Sequence, residues 1–202
     1  VDNAFSIEIA AADVALLTNA SYTLEAQVAD VAGNSVTQTA TLATDLSAPN
    51  VTISTIAGDD YINLIESQSN VVISGTATGA EDNRTVFVTV GASTYETTVT
   101  NGNWQLSLTP EQISLLPNNQ ATSVSVYTTD LAGNPSNTAT RVVNKDVTPP
   151  SLTVNDIAED NVINLAESQD KVTVSGTTTG VDNGLDVTLV LNGKTYTGEV
   201  NS

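Results

Sequence analysis

The chain has 202 residues, with 23 acidic and 5 basic side chains and no histidine, cysteine or methionine. A formal charge of −18 excludes a phosphate-binding track and disfavours an anionic membrane surface, so we expect neither nucleic acid nor membrane as a partner. The composition also excludes disulfide bonds, thiolate metal sites and the most common general base. No apolar run approaches the roughly 20 residues that membrane insertion requires.

Short stretches rich in Thr and Val alternate polar and apolar residues between turn signals, which is typical of β-strands. Asn101-Gly102 predicts a hairpin turn, because both residues tolerate positive φ. Residues 110–116 predict a helical turn with Thr109 as its N-cap. Within residues 49–148, the predicted strands are 51–56, 71–76, 85–90, 94–99, 104–108, 123–128 and 139–143.

The sequence repeats with a period of about 101 residues. The string DVAGN at 30–34 returns as DLAGN at 130–134, and INL at 62–64 returns at 163–165. Linkers containing Pro49 and Pro149-Pro150 separate the copies. The predicted organisation is therefore the second half of a repeat at 1–48, a complete repeat at 49–148 and the first half of a repeat at 149–202.

Seven short strands in about 100 residues predict an all-β chain of tandem immunoglobulin-like β-sandwich domains. Without the antibody-type cysteine pair, the core must hold by apolar packing alone. We expect Trp104, Leu115 and Leu116 among its larger residues. A helical or α/β fold is disfavoured, because one brief helical segment per repeat cannot supply crossover connections.

The acidic residues cluster in loops, and the alternation of strand direction predicts which end of the sandwich each loop occupies. One cluster includes Asp59 and lies where the last strand ends, beside the linker residue Asp146. The other includes Glu81 and Asn83 and lies at the opposite end, beside the linker residue Asp45. Carboxylates this close repel one another unless a cation neutralises them. Ca²⁺ binds six to eight oxygens in irregular geometry and needs neither nitrogen nor sulfur, so it is the predicted cofactor. The candidate ligands are Asp30, Asp45, Asp59, Asp60, Asn63, Glu66, Asp82, Asp130, Asp146, Asp160, Glu167 and Asp182.

Two alternatives to metal binding stay open at this stage. The clusters are also consistent with solvated acidic turns, although their recurrence around Asp160 favours calcium. Asp, Gly and Asn are ordinary turn residues, so an Asx-turn would explain Asp30 and Asp130 without a metal. Asn134 is interpreted as a turn residue, and Lys145 is a possible neutralising partner of Asp146.

The ordered motifs AGDDYINLIE at 57–66, VISGT at 72–76, Asn103-Trp104 and DLAGN at 130–134 resemble the bacterial immunoglobulin-like repeats of very large type I-secreted adhesins, of the biofilm-associated and RTX kind. The resemblance implies an extracellular stalk on the bacterial surface or in the biofilm matrix. It also implies calcium at the junctions between domains and neighbouring repeats as partners. Asn161 stands where the first copy has Asp60, which implies ligand sets that differ between junctions.

Other functions are weighed against the stalk. In a filament, a head-to-tail homo-polymer, residues 149–202 of one molecule would complete residues 1–48 of the next. The alternative, which we prefer, is that the sequence is a window from a longer array of repeats. A glycosidase with paired carboxylates is disfavoured, because the acids lie in recurring loops and only 4% of residues are aromatic. The chain is therefore not expected to be an enzyme. A carbohydrate-binding module and an isopeptide cross-link are disfavoured by the few aromatic residues and the few lysines.

Overall fold

A computed structural model describes residues 4–201 and divides the chain into two compact units, residues 1–146 and 147–202. Strands dominate both units, which confirms the all-β prediction. No helix within residues 4–201 is long and apolar enough to cross a membrane. The boundaries 1–48, 49–148 and 149–202 remain a prediction.

The first unit begins with a single helical turn and a long hairpin. Helix α1 is Ala11–Val14, and strands β1 (Ala20–Ala29) and β2 (Ser35–Thr44) pair antiparallel over ten residues each. The turn of this hairpin contains the DVAGN string at 30–34.

A complete sandwich follows in the same unit, with a core shared by two sheets. One sheet has the order β3-β5-β8 and the other β4-β10-β9-β6-β7. Its strands are β3 (Asn50–Val51), β4 (Tyr61–Ile62), β5 (Val71–Thr78), β6 (Thr85–Val90), β7 (Ser93–Thr98), β8 (Asn103–Leu108), β9 (Gln120–Thr128) and β10 (Ala139–Lys145). Helix α2 (Pro110–Ser114) lies between β8 and β9, and a 3₁₀ turn spans Glu66–Gln68.

Apolar side chains from both sheets form the core, as the alternation predicts. Ile73 and Trp104 come from the three-stranded sheet, and Val88 and Val126 come from the five-stranded sheet. Leu116 is also buried, but the prediction that Leu115 lies in the core is wrong, since it is 76% exposed. Helix α2 has little more than one turn, so consecutive leucines at its end cannot both face the core.

The predicted first strand, 51–56, is observed as the short strand β3 followed by a less regular segment along the same sheet. After β3, the chain continues beside β5 through hydrogen bonds from Thr52 N to Thr76 O (3.0 Å) and from Ser54 N to Ser74 O (2.8 Å). A turn with positive φ at Ala57, Gly58 and Asp60 then carries the chain across to β10.

The short strand β4 that follows this turn pairs with β10 in parallel. Strand β4 and the last strand, β10, therefore run in the same direction, and the chain enters and leaves the sandwich at opposite ends.

The second unit contains β11 (Ser151–Val154), β12 (Gly176–Thr179), β13 (Asp186–Leu191) and β14 (Lys194–Glu199). Strand β11 pairs with β12 as β3 pairs with β5, and β13 pairs with β14 as β6 pairs with β7. Two 3₁₀ turns, Ile157–Glu159 and Glu167–Gln169, lie between β11 and β12.

Candidate functional site

The N-terminal pole of the complete sandwich consists of residues 79–84 and 129–137, where the linker 45–49 reaches the domain. Two contacts join these loops. Glu81 Oε2 accepts a hydrogen bond from the Leu131 backbone N–H at 2.8 Å. The guanidinium of Arg84 donates to the carbonyl and hydroxyl oxygens of Thr129 at 3.0 and 2.8 Å. Side-chain hydrogen bonds therefore join the two loops of the pole independently of the linker.

Asp130 is fully buried at the centre of this pole. Its Oδ1 accepts from the Asn134 backbone N–H at 2.7 Å, and its Oδ2 accepts from the Asn134 side-chain amide at 2.8 Å. Burial acts to raise the pKa of Asp130, but the hydrogen bonds from Asn134 and from the backbone outweigh it and hold the pKa below its ordinary value. These contacts close the turn at residues 130–134 through the side chain of Asp130.

The equivalent loop of the β1–β2 hairpin has the same geometry. Asp30 Oδ1 accepts from the backbone N–H groups of Ala32 and Asn34 at 2.9 and 2.8 Å, and Asp30 Oδ2 accepts from the Asn34 amide at 2.7 Å. Hydrogen bonds from Asn34 hold the pKa of Asp30 below its ordinary value. The turn is therefore encoded locally by the five residues of the repeat string.

The linker residue Asp45 lies at the N-terminal pole, as the strand directions predict. Its carbonyl oxygen accepts from the Asn134 side-chain amide at 3.0 Å, and its Oδ1 accepts from the Ser47 N–H at 3.0 Å. Asp82 belongs to the same pole and accepts from the Asn101 N–H at 2.7 Å. Sequence reasoning missed the contact of Asn134 with the linker, although the recurrence of this asparagine in the repeat string was a signal.

The C-terminal pole consists of residues 57–68, helix α2 with residues 115–119, and residues 144–146. Here Asp60 forms a bidentate ion pair with Arg141 of β10, and its Oδ1 also accepts from the Ile56 N–H at 3.0 Å. The hydrogen bonds from Arg141 hold the pKa of Asp60 below its ordinary value, against an opposing effect of burial. Both oxygens of this carboxylate are thus engaged within the domain.

The other residues of this cluster also form local turns. Asp59 Oδ1 accepts from the Tyr61 N–H at 2.9 Å. Asn63 Oδ1 accepts from the N–H groups of Ile65 and Glu66 at 2.9 and 3.0 Å, and Glu66 Oε2 accepts from the Asn63 N–H at 3.0 Å. This reciprocal pair has the hydrogen-bond pattern of a capping box and lies at the start of the 3₁₀ turn.

The exit linker is attached to the same pole. The Asp146 N–H donates to Ile62 O at 3.1 Å, and the Asn119 amide, oriented to donate, lies 2.9 Å from Asp146 Oδ1. Lys145 is buried, and its Nζ donates to the carbonyls of Ile113 and Ser114 at 3.3 and 3.4 Å. A buried lysine therefore exists despite the few lysines in the chain. It caps the end of α2 through backbone carbonyls.

The second unit repeats these turns with several substitutions, among them Glu159 for Gly58 and Asn161 for Asp60. Asp160 Oδ1 accepts from the Val162 N–H at 2.9 Å, and Glu167 Oε2 accepts from the Asn164 N–H at 2.9 Å. Asn161, at the position of Asp60, accepts from the Ile157 N–H at 3.0 Å and donates to a neighbouring carboxylate. Asp182 occupies the position of Glu81.

These acidic side chains do not converge into a preformed metal cage. Within residues 4–201, no group of three or more Asp or Glu side chains is arranged to hold a metal ion. A full Ca²⁺ shell of six to eight oxygens therefore needs backbone carbonyls, water or oxygens from an adjoining repeat in addition to these carboxylates.

The chain is similar to several solved structures. One is described as a Ca²⁺-stabilised adhesin that helps an Antarctic bacterium reach out and bind ice. It is 35% identical over 90% of this chain and 46% of that chain, with a TM-score of 0.45. A second concerns host cell surface retention of a 1.5-MDa bacterial ice-binding adhesin. It is 31% identical over 98% of this chain and 65% of that one, with a TM-score of 0.46.

A third similar structure is a bacterial immunoglobulin-like domain from the M. primoryensis ice-binding adhesin. It is 33% identical over 49% of this chain and 98% of that domain, with a TM-score of 0.40. The chain thus spans about half to two thirds of the first two structures and nearly all of the third. No family model and no curated protein matches the sequence.

Proposed function

We propose that this chain, which belongs to the bacterial immunoglobulin-like domains of large adhesins, is a segment of a stalk that extends such an adhesin from the bacterial surface. Membership of the family rests on 33% identity over 98% of a bacterial immunoglobulin-like domain, and not on the superpositions. The proposed location is extracellular, on the cell surface or in a biofilm matrix, and the proposed partners are neighbouring repeats. The proposed role is structural, without catalysis.

The observation that carries the stalk proposal is the parallel pairing of β4 with β10. It places the incoming linker at one pole and the outgoing linker at the other, so that consecutive domains add length instead of folding back. Strand β9 has nine residues, which at ~3.3 Å per residue corresponds to about 30 Å of extension per domain.

The finer part of the proposal is that Ca²⁺ stiffens the junctions between domains. In support, each pole combines a linker aspartate with loop carboxylates, and one similar structure is described as Ca²⁺-stabilised. Asp60, Asp30 and Asp130 accept hydrogen bonds on both carboxylate oxygens, which makes them weaker candidate ligands. The stronger candidates are Asp45, Asp59, Asn63, Glu66, Asp82, Asp146, Asp160, Glu167 and Asp182.

Thermal unfolding in millimolar calcium and in excess chelator tests this proposal. A site that binds only the native state adds about 2.7 kcal/mol when calcium is a hundred times above Kd, so we expect the melting temperature to rise by several degrees. The double variant Asp59→Asn/Asp146→Asn is expected to lose most of this rise. Glu96→Gln is the matched control, because it removes an acid from exposed β7, away from both poles. Superimposable melting curves in calcium and chelator would contradict the calcium proposal.

A second candidate function is the filament, in which the flanking segments of two copies together complete one sandwich. In the complete sandwich, Val124 and Thr128 of β9 are fully buried, whereas their counterparts Leu24 and Val28 of β1 are 43% and 64% exposed. Leu191 of β13 is 61% exposed, although its counterpart in β6, Val90, is only 3% exposed. The two flanking segments thus leave uncovered the faces that a complete sandwich buries.

These two faces are complementary in the order of their strands. Strands β11 to β14 correspond to β3, β5, β6 and β7, and strands β1 and β2 correspond to β9 and β10. Residues 149–201 of one copy could therefore cover residues 4–48 of another. We expect the chain 1–202 to form concentration-dependent polymers in light scattering after size exclusion, and a monomer at micromolar concentration would overturn this candidate.

A further inference from the structure

The linker 45–49 is held from the downstream side by an asparagine of the complete sandwich. The side-chain amide of Asn134 donates to the Asp45 carbonyl at 3.0 Å and to Asp130 Oδ2 at 2.8 Å. Since Asp130 is fully buried and also accepts from the Asn134 backbone, the amide has a fixed orientation. Asp130 is thus a positioning residue for the amide that holds the linker.

The same linker is held from the upstream side by a second asparagine. Asn19, directly before β1, accepts a hydrogen bond from the Leu46 N–H on its Oδ1 at 2.7 Å. Its side-chain nitrogen also donates to Ser47 Oγ. One asparagine side chain therefore contacts two consecutive linker residues.

Packing immobilises the downstream end of the linker. Pro49 is buried, and a Cβ on Gly79 would lie 3.3 Å from the Pro49 Cα, so the proline ring region sits against this glycine. Asn137 then pairs with the backbone of Val51, accepting from its N–H at 2.8 Å and donating to its carbonyl at 3.1 Å. The chain is thus anchored on both sides of Pro49.

The two asparagines bind the linker residues in the reverse of their own order along the chain. Asp45, which comes first, is bound by the downstream sandwich, whereas Leu46 and Ser47, which come later, are bound by the upstream segment. A hinge motion at any point of the linker must therefore break at least one of the two sets of hydrogen bonds.

We propose that Asn19 and Asn134 form an amide clamp that holds this junction without a metal ion. Side-chain amides carry no charge, so the clamp needs no cation to neutralise it. Calcium, where it binds, would add to a junction that is already ordered. In the next repeat position, Asn119 instead donates to the carboxylate of the linker residue Asp146.

Amide hydrogen exchange in the chain 1–202, measured by NMR in excess EGTA, tests the clamp. The Leu46 N–H is the direct reporter, because its hydrogen-bond acceptor is the Asn19 side chain. We expect exchange of this amide to be slowed about tenfold or more relative to an unprotected amide. Asn19→Ala is expected to abolish the protection, and Asn134→Ala to weaken it several-fold.

Asn34→Ala is the matched control, since Asn34 makes the same contacts with its own aspartate as Asn134 does but lies in a different loop. This variant should leave Leu46 exchange unchanged. The Val126 amide in the core of the sandwich shows whether each variant remains folded.

The outcomes separate the clamp from the calcium proposal. Protection of Leu46 in calcium but not in EGTA would overturn the clamp and support calcium. Protection in both conditions, together with melting that does not respond to calcium, would support the clamp and overturn the calcium proposal. An Asn19→Ala variant that keeps full protection would overturn the clamp in either case.

Discussion

Replacing Gly75 by alanine should severely destabilise the complete sandwich. Gly75 lies on β5 opposite Trp104 of β8, in the Ser-Gly-Thr string that recurs at 175–177. A Cβ at this position would lie 1.9 Å from the Thr52 carbonyl oxygen and 2.9 Å from Trp104 Nε1. Neither neighbour is the free end of a flexible side chain, so the backbone after β3 must move away.

The size of the effect follows from the contacts that such a movement breaks. The Trp104 indole donates to Thr52 O at 3.1 Å, and two backbone hydrogen bonds, from Thr52 and Ser54, join this segment to β5. Three hydrogen bonds at ~1 kcal/mol each, with ~1 kcal/mol or more of overpacking strain, make a loss of about 4 kcal/mol. For a domain of this size, that loss lowers the melting temperature by at least about 15 °C.

Thermal and urea unfolding of the full chain, followed by Trp104 fluorescence, measure this loss in the complete sandwich. Gly198→Ala is the control, because a Cβ on this glycine of β14 meets nothing within 4 Å. That variant should melt with the parent chain. A Gly75→Ala variant that melts within about 3 °C of the parent would refute the close-approach argument.

Two further predictions concern buried and charged side chains. Thr122→Val should raise the free energy of unfolding by about 1 kcal/mol in urea titrations, because the buried Thr122 hydroxyl has no hydrogen-bond partner. Thr128→Val is its control and should lower that free energy by about 1 kcal/mol, since the Thr128 hydroxyl donates to a backbone carbonyl at 2.6 Å. Because the ion pair with Arg141 lowers the folded-state pKa of Asp60, its stabilisation is present above the ordinary aspartate pKa of about 3.9 and is lost as the pH falls through the folded value. Asp60→Asn should therefore lose less stability than the parent between pH 7 and pH 3 in urea titrations, and an equal loss in both proteins would contradict this assignment.

Several features could be predicted from the sequence because nearby residues determine them. The hairpin turn at Asn101-Gly102 has positive φ at both residues, as expected. Thr109 caps α2 within a capping box, and the predicted strand 85–90 has the observed bounds. Each depends on residues fewer than ten positions apart. The pole to which each acidic loop belongs was also predictable, because it follows from counting alternating strands.

Other features depended on partners far along the chain. Asp60 was a candidate calcium ligand, but its guanidinium partner lies 81 residues away, on β10. Asn134 was interpreted as a turn residue, although it also binds a linker carbonyl 89 residues earlier. The short strand β4 was not predicted, because its two residues form a strand only through pairing with β10, far along the chain.

By itself, the sequence determined the repeat, the all-β class and the turns, because periodicity, composition and capping act over a few residues. The tertiary structure alone decided how the acidic residues are used and how the linker is held. Chemically similar carboxylates have different roles, according to the hydrogen-bond donors that the fold brings near them. Asp60 forms an ion pair, Asp130 closes a buried turn, and Glu66 accepts from the backbone at the start of a 3₁₀ turn. A side chain's hydrogen-bond partner is set by three-dimensional proximity, which local sequence does not encode.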